Sequence, residues 1–285
     1  MSAVMNPRIL SLPRGGQLRL DAHPLVMGIL NVTPDSFSDG GLHDAKDAAV
    51  AHGLRLVAEG ADIIDVGGES TRPGHSPVDA ETEIARIEPV IRALAERSGT
   101  PISIDTMKAR VAERAVAVGA SIINDVWGFQ QDSDMARVAA DTGALAIVMH
   151  NRLTEDPGVD IVTEVRAFLS RSIDIALAAG VARDRIVVDP GFGFGKTHDQ
   201  SMRLVIELAR IAELGFPVLL GASRKRSIGR ITGRDDPRQR LHGSLALAVV
   251  GAANGADILR VHDVAPHVDA MKIVAALHAQ HKARP

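Results

Sequence analysis

Eight short apolar runs punctuate the chain, at residues 25–30, 62–66, 101–104, 121–123, 144–149, 185–188, 217–220 and 256–261. None alternates strictly between apolar and polar positions, which is the pattern of parallel strands covered on both faces. Each run ends in polar residues or glycine. Each is followed by a longer amphipathic stretch with helical spacing, at 45–59, 79–97, 108–118, 133–142, 162–179, 198–214, 238–254 and 266–279. Several of these stretches run into a glycine (Gly60, Gly119, Gly143, Gly180, Gly215, Gly255), the residue that most easily takes the left-handed conformation that ends a helix. The repeat predicts an α/β fold, with a closed (β/α)8 TIM barrel as first choice and an open doubly wound sheet as second, because closure leaves no mark in sequence. Residues 7–21 stand outside the repeat. Two short runs, 8–12 and 17–20, flank Pro13-Arg14-Gly15-Gly16 and predict an N-terminal β-hairpin covering the bottom of the barrel.

Composition narrows the picture without changing it. A chain of 285 residues suits one barrel, so a single domain over 1–285 is expected. Aliphatic residues must fill the core, since there are six Phe, one Trp and no Tyr. Five of those seven aromatics (Phe37, Trp127, Phe129, Phe192, Phe194) fall in loops after strands, where they either cap the core or line a binding surface. The net charge of −3 argues against a general nucleic-acid binder. The absence of cysteine excludes disulfides and thiolate metal sites. No apolar stretch is long enough to span a bilayer and no secretory signal is visible, so a cytoplasmic location is expected.

The chemistry collects at the ends of the runs, where barrel enzymes build their sites. In order these ends carry Asn31, the segment 65–74 with Arg72, Asp105-Thr106, Asn124-Asp125, His150, the segment 189–196, Gly221-Ala-Ser-Arg-Lys-Arg226 and Arg260-Val-His262. One Asp or Asn after a strand is usually a helix cap; a polar or ionisable group after all eight points to a functional rim. Asp105, Asn124 and Asp189 offer acceptors and an amide suited to a flat heterocycle with N–H donors. Lys225, Arg72, Arg260 and His262 suit a phosphate or carboxylate. Phe194 offers a ring face. Together they describe a site for a nitrogen-rich aromatic ring attached to an anion. The segment 191–197 fails as a phosphate-binding P-loop because Pro190 stands where a glycine is needed. Its alternating glycines are expected to let backbone approach a ligand. No zinc-type histidine cluster occurs, so an expected metal is a hard cation such as magnesium, held largely by substrate phosphates.

The same segments resemble the dihydropteroate synthase family. Met27-Gly-Ile-Leu-Asn-Val-Thr-Pro-Asp-Ser-Phe-Ser-Asp-Gly-Gly41 and Asp65-Val-Gly-Gly-Glu-Ser-Thr-Arg-Pro-Gly74 are similar to its two long signatures. Ser103-Ile-Asp-Thr106, Ile123-Asn-Asp-Val126, Asp189-Pro-Gly-Phe-Gly-Phe-Gly-Lys196, Ser223-Arg-Lys225 and Arg260-Val-His262 follow in the family's order. The resemblance implies condensation of 6-hydroxymethyl-7,8-dihydropterin diphosphate with 4-aminobenzoate. It implies that Asp105, Asn124, Asp189 and Lys225 hold the pterin, and that Asn31, Arg72, Arg260 and His262 meet the diphosphate. Asn31 then shares in binding Mg2+, and Thr71, Arg72, Pro73, Phe194 and Ser223 line the aminobenzoate pocket. Asp105, Asp189, Lys225, Arg260 and His262 are the implied catalytic set, the loops from Asn31 and Glu69 close over the substrates, and a homodimer is expected. Met149-His-Asn-Arg152 departs from the His-Met-Gln-Gly of many relatives. The alternative on the same scaffold is a methyltetrahydrofolate-binding methyltransferase domain, which has no need of the long 31–41 loop or of Ser223-Arg-Lys225. With no obvious nucleophile–base pair at the rim, the expected chemistry is a dissociative substitution driven by charge on the departing diphosphate.

Overall fold

The computed structural model describes residues 8–21, 23–33, 42–69 and 77–282. Each of the eight apolar runs overlaps a strand: β3 (Leu25–Asn31), β4 (Ile63–Gly67), β5 (Ile102–Asp105), β6 (Ile122–Asp125), β7 (Leu145–Met149), β8 (Ile186–Asp189), β9 (Leu219–Leu220) and β10 (Ile258–Val261). They pair in parallel in the order β8-β7-β6-β5-β4-β3-β10-β9. The ring is completed by a bridge between Val188 and Val218, with the Val188 N–H donating to the Pro217 carbonyl at 2.9 Å. The first-choice architecture therefore holds.

Ahead of the barrel, β1 (Arg8–Ser11) and β2 (Gln17–Leu20) form the expected antiparallel hairpin. Its Leu10, Leu12, Leu18 and Leu20 join Leu25, Met27, Ile63, Ile122, Leu145, Ile147, Val187, Leu219 and Ile258 in one apolar cluster. These strand residues are the inward positions near the N-terminal ends, so the hairpin seals the bottom. Arg8 adds an ion pair to Asp257, which precedes β10, at 2.7 Å. The outward positions, such as Leu30, Ile64, Val66, Ile104, Ile123 and Val188, pack in a second cluster beneath the helices.

The helices are α1 (Leu42–Ala58), α2 (Ala80–Arg97), α3 (Ala109–Ala117), α4 (Met135–Thr142), α5 (Ile161–Ala178), α6 (His198–Ile206), α7 (Leu208–Ala212), α8 (Arg226–Thr232), α9 (Leu241–Ala253) and α10 (Val264–Lys282). All six glycines expected at helix ends have positive φ. Two expectations change. The 198–214 stretch divides at Glu207, whose carboxylate accepts from Arg203 and Arg210 on either side at 2.5 and 2.6 Å. The short α8, ended by Gly233 at φ +67°, precedes α9 where one helix was expected; seven residues are too few to show a period.

Because side chains on a strand alternate in direction, the inward parity that begins with the apolar cluster continues upward. On β4 it passes from Ile63 to Asp65, on β5 from Ser103 to Asp105, on β6 from Ile122 to Asn124, on β8 from Val187 to Asp189 and on β10 from Ile258 to Arg260. The strand register sets these residues side by side: Asn31 with Gly67, Gly67 with Asp105, and Asp105 with Asn124. A polar layer thus lies directly on the apolar floor of the barrel.

Candidate active site

The centre of that layer is a buried ion cluster. Arg260 donates from Nε to Asp65 Oδ2 at 2.6 Å and from Nη2 to Asp105 Oδ2 at 2.7 Å. Asn124 Nδ2 reaches the same Asp65 oxygen at 3.3 Å. Asp65 is fully buried and Asp105 nearly so. Burial pushes the Asp105 carboxyl up to about 7, against the pull of Arg260 and with the push of Asp65. Burial also works against the charge on Arg260, but Asp65 and Asp105 outweigh it and hold the guanidinium firmly protonated. The other oxygens, Asp65 Oδ1 and Asp105 Oδ1, are buried without a hydrogen-bond partner among the described residues. Unmet acceptors of this kind are costly and suit a ligand that brings N–H groups.

Asp189 lies on the same layer. Its Oδ1 accepts from the Gly191 N–H at 2.7 Å, and burial raises its carboxyl to about 6 in spite of that bond and of Lys225, Lys196 and Arg260. Gly221, the inward position after β9, leaves room here: a Cβ there would sit 3.8 Å from Arg260 Cβ and 4.0 Å from Asp189 Oδ2. Lys225 holds its Nζ 3.9 Å from the centre of the Phe194 ring, a cation–π contact. Phe194 is thus set at the edge of the site. Phe129 and Phe192 are core residues instead.

Ser223 and His262 form a second pair. Ser223 Oγ is 3.1 Å from His262 Nδ1 and accepts the His262 backbone N–H at 3.2 Å. A Ser–His contact is the first half of a nucleophile–base dyad, so the expectation that the rim has none needs correction. The backbone bond gives the pair a different use. Where the Ser223 hydroxyl donates to Nδ1, the imidazole carries its proton on Nε2, the tautomer that suits an anion.

The turn that presents Asp189 and Phe194 is held from below by residues the sequence reading left aside. Lys196 is buried, with its Nζ 2.8 Å from His150 Nδ1, 2.7 Å from the Gly191 carbonyl and 3.0 Å from that of Phe194. Arg152 donates to the Gly195 carbonyl at 2.7 Å, to Glu164 at 2.8 Å and to Gln200 at 2.9 Å. The atypical His150-Asn-Arg152 segment therefore acts as a support. The glycines also serve differently from expectation. A Cβ on Gly191 (φ +68°) would overlap the His150 carbonyl oxygen, and one on Gly195 (φ +56°) that of Arg152. The close approach they permit is between two loops.

Asn31 stands at the edge of the layer, its Oδ1 3.8 Å from where a Cβ of Gly67 would lie. Among the described residues no three His, Asp or Glu side chains converge as a metal cage. The amide oxygen of Asn31 suits a hard cation held mainly by substrate oxygens. Thr71, Arg72, Pro73 and the loop tip at 34–41, with Phe37, lie outside the described residues. The root of the 70–76 segment is described: Lys108 ion-pairs with both Glu69 and the buried Glu83. Asp65 is the main site residue that sequence reasoning missed. An acidic residue within an apolar run of a strand covered on both faces was the available signal.

Comparison with known proteins matches the chain to the pterin binding enzyme family over residues 27–262. The dihydropteroate synthase of Bacillus subtilis (strain 168) is 48% identical over 240 residues, covering 84% of each chain. A Xanthomonas albilineans dihydropteroate synthase structure with 4-aminobenzoic acid is 48% identical, with a TM-score of 0.92 over 98% of this chain and 100% of that one. The Xanthomonas albilineans enzyme in complex with 7,8-dihydropteroate is 44% identical, with a TM-score of 0.85 over 97% and 99% of the two chains.

Proposed function

The chain belongs to the dihydropteroate synthase family of pterin-binding enzymes, and from that premise we propose how its rim divides the work. The activity is a transferase step of folate biosynthesis, joining 6-hydroxymethyl-7,8-dihydropterin diphosphate to 4-aminobenzoate to give 7,8-dihydropteroate and diphosphate. Asp105, Asn124, Asp189 and Lys225 form the floor that holds the pterin. The observation that carries this assignment is the unmet Oδ1 of Asp105 beside Arg260, an acceptor that the N–H groups of a pterin satisfy. Arg260, His262 and Asn31 form the anion wall, joined by Arg72. Arg260 spends Nε and Nη2 on carboxylates and offers Nη1 to the diphosphate; His262 offers Nε2–H. Phe194 and Ser223 border the aminobenzoate pocket with Thr71, Arg72 and Pro73.

An arylamine is neutral near pH 7 and needs no base before it attacks. The hard event is departure of diphosphate from the pterin CH2. The C–O bond breaks, the C–N bond forms, and the amine proton leaves to diphosphate or water. Asp105 and Asp189 fix the ring and favour positive charge developing on it, while Arg260 and His262 favour negative charge on the leaving oxygens. A magnesium ion bound by Asn31 and the diphosphate would add Lewis-acid neutralisation of that leaving charge. The test is direct: purified protein, pterin diphosphate, magnesium and 4-aminobenzoate should release diphosphate, and release that does not depend on aminobenzoate refutes the assignment.

The assembly we assign is a homodimer. Helix α9 (LHGSLALAVVGAA) is apolar around most of its surface, and Val249 and Val250 are exposed. Ile206, Ile231, Ile273 and Leu277 are exposed on α6, α8 and α10. A second copy is the natural cover for such a face, and Val250→Glu should shift sedimentation from dimer to monomer. No helix among the described residues is long and apolar enough to cross a membrane. We assign the reaction to the cytoplasm, in keeping with two water-soluble, anionic substrates.

A further inference from the structure

We infer that Lys196 is a positioning residue that locks the loop after β8 against the loop after β7 and so sets the pterin floor and the aminobenzoate border together. The inference rests on the roles given above to Asp189 and Phe194. The Lys196 side chain is nearly excluded from solvent and its Nζ gathers four acceptors from two loops. These are His150 Nδ1 at 2.8 Å, Gly191 O at 2.7 Å, Phe194 O at 3.0 Å and His150 O at 3.4 Å. None is a carboxylate, so every direct contact of the ammonium is with a dipole. Gly191 and Phe194 are the two ends of one turn, closed by the Phe194 N–H on the Gly191 carbonyl at 3.1 Å. The Gly191 N–H in turn fixes Asp189 Oδ1, and Phe194 carries the ring that faces Lys225. One ammonium therefore holds both ends of the turn that presents a residue to each substrate.

His150 completes the lock. For Nδ1 to accept from an ammonium the imidazole must be neutral with its proton on Nε2. That nitrogen lies 3.4 Å from Glu164 Oε1, and the ring meets Phe168 edge-on at 4.8 Å between centroids. Burial, with Lys196 and Arg152 nearby, pushes the His150 imidazole down to about 2, which keeps it an acceptor throughout the useful pH range. The charged groups that face Lys196 are Asp189 from β8, Glu164 from α5, Arg152 from the loop after β7 and Lys225 from the turn after β9. Burial is the largest influence and brings the ammonium down to about 7. Loss of that proton leaves an amine with two hydrogens for four acceptors, so the lock weakens as pH rises through neutrality, whereas raised carboxyls in the floor impair binding as pH falls. The two effects have opposite signs.

The experiment measures steady-state kinetics and pterin diphosphate binding from pH 6 to 9 for the wild type, Lys196→Met, Lys196→Arg and Asp189→Asn. Lys196→Met should raise KM for both substrates together, by about tenfold, with kcat changed about twofold or less. In the wild type, binding should weaken on the basic side, and Lys196→Arg, which keeps its charge, should restore binding and remove that basic limb alone. A KM change confined to one substrate, or a basic limb that survives in Lys196→Arg, overturns the lock. If Lys196→Met does not fold, the wild-type and Lys196→Arg profiles decide the matter. Loss of pterin binding in Asp189→Asn with unchanged kinetics in Lys196→Met rejects the lock alone, whereas normal binding in Asp189→Asn rejects the floor assignment beneath it.

Discussion

Arg260 and Asp105 meet across the barrel, with Nη2 on β10 donating to Oδ2 on β5 at 2.7 Å. The contact ties the proposed anion wall to the proposed pterin floor, so a change in either should disturb the other. Asp105→Ala removes a charge-assisted bond to Arg260 and an acceptor for substrate. It should cost about 2–4 kcal/mol of transition-state stabilisation, read as a fall in kcat/KM. Turnover near that of the wild type would remove Asp105 from the site.

Asp65 is expected to act through Arg260. It is fully buried, and its Oδ2 accepts from both Arg260 and Asn124. Removing one member of a buried charge cluster costs about 3–5 kcal/mol of stability, so Asp65→Ala should lower the urea midpoint clearly. In Asp65→Asn, which keeps the volume, the pterin diphosphate KM should rise more than the aminobenzoate KM. Equal effects on both would place Asp65 outside the anion wall.

Substrate binding should release protons. Burial lifts Asp105 to about 7 and Asp189 to about 6, so near pH 6 the free protein is largely protonated at Asp105 and partly at Asp189. A pterin that donates N–H groups to ionised carboxylates displaces them. Affinity should therefore rise from about pH 5 toward 7, where loss of the Lys196 proton begins to oppose it. Calorimetry in buffers of different ionisation enthalpy counts the protons; Asp189→Asn should release fewer. Proton uptake in the wild type would reverse the assignment.

The glycines after β8 separate geometry from space. A Cβ added at Gly193 (φ +79°) would meet, beyond its chain neighbours, nothing closer than Lys225 Cδ at 3.5 Å among the described residues, so Gly193→Ala should cost only about 1–2 kcal/mol for left-handed backbone. Gly191→Ala adds a collision with the His150 carbonyl and should cost more, in stability and in pterin affinity. Equal melting temperatures for the two variants would contradict the packing described.

Much of this was legible in sequence because it follows from period and position. Doubly covered strands announced the barrel, terminal glycines marked six helix ends, and Asp105, Asn124, Asp189 and Arg260 fall at strand ends that share one inward parity. What escaped depends on contacts between distant segments. Asp65 looked like the start of a loop motif, yet it lies inside a strand and its partner is 195 residues away. Lys196 read as the end of a glycine-rich loop, since nothing local marks His150 as the group it meets. The break at Glu207 is a local departure of the backbone (φ −99°, ψ 23°), and the helical period runs through it unchanged.

In the proposed mechanism, charge at the rim drives departure of diphosphate ahead of attack by the amine. A secondary deuterium isotope effect at the pterin CH2 tests this in the wild-type enzyme. A normal effect clearly above unity is expected, as the carbon flattens toward a cation before the new bond forms. An effect indistinguishable from unity would mean that attack and departure are concerted, and would contradict it.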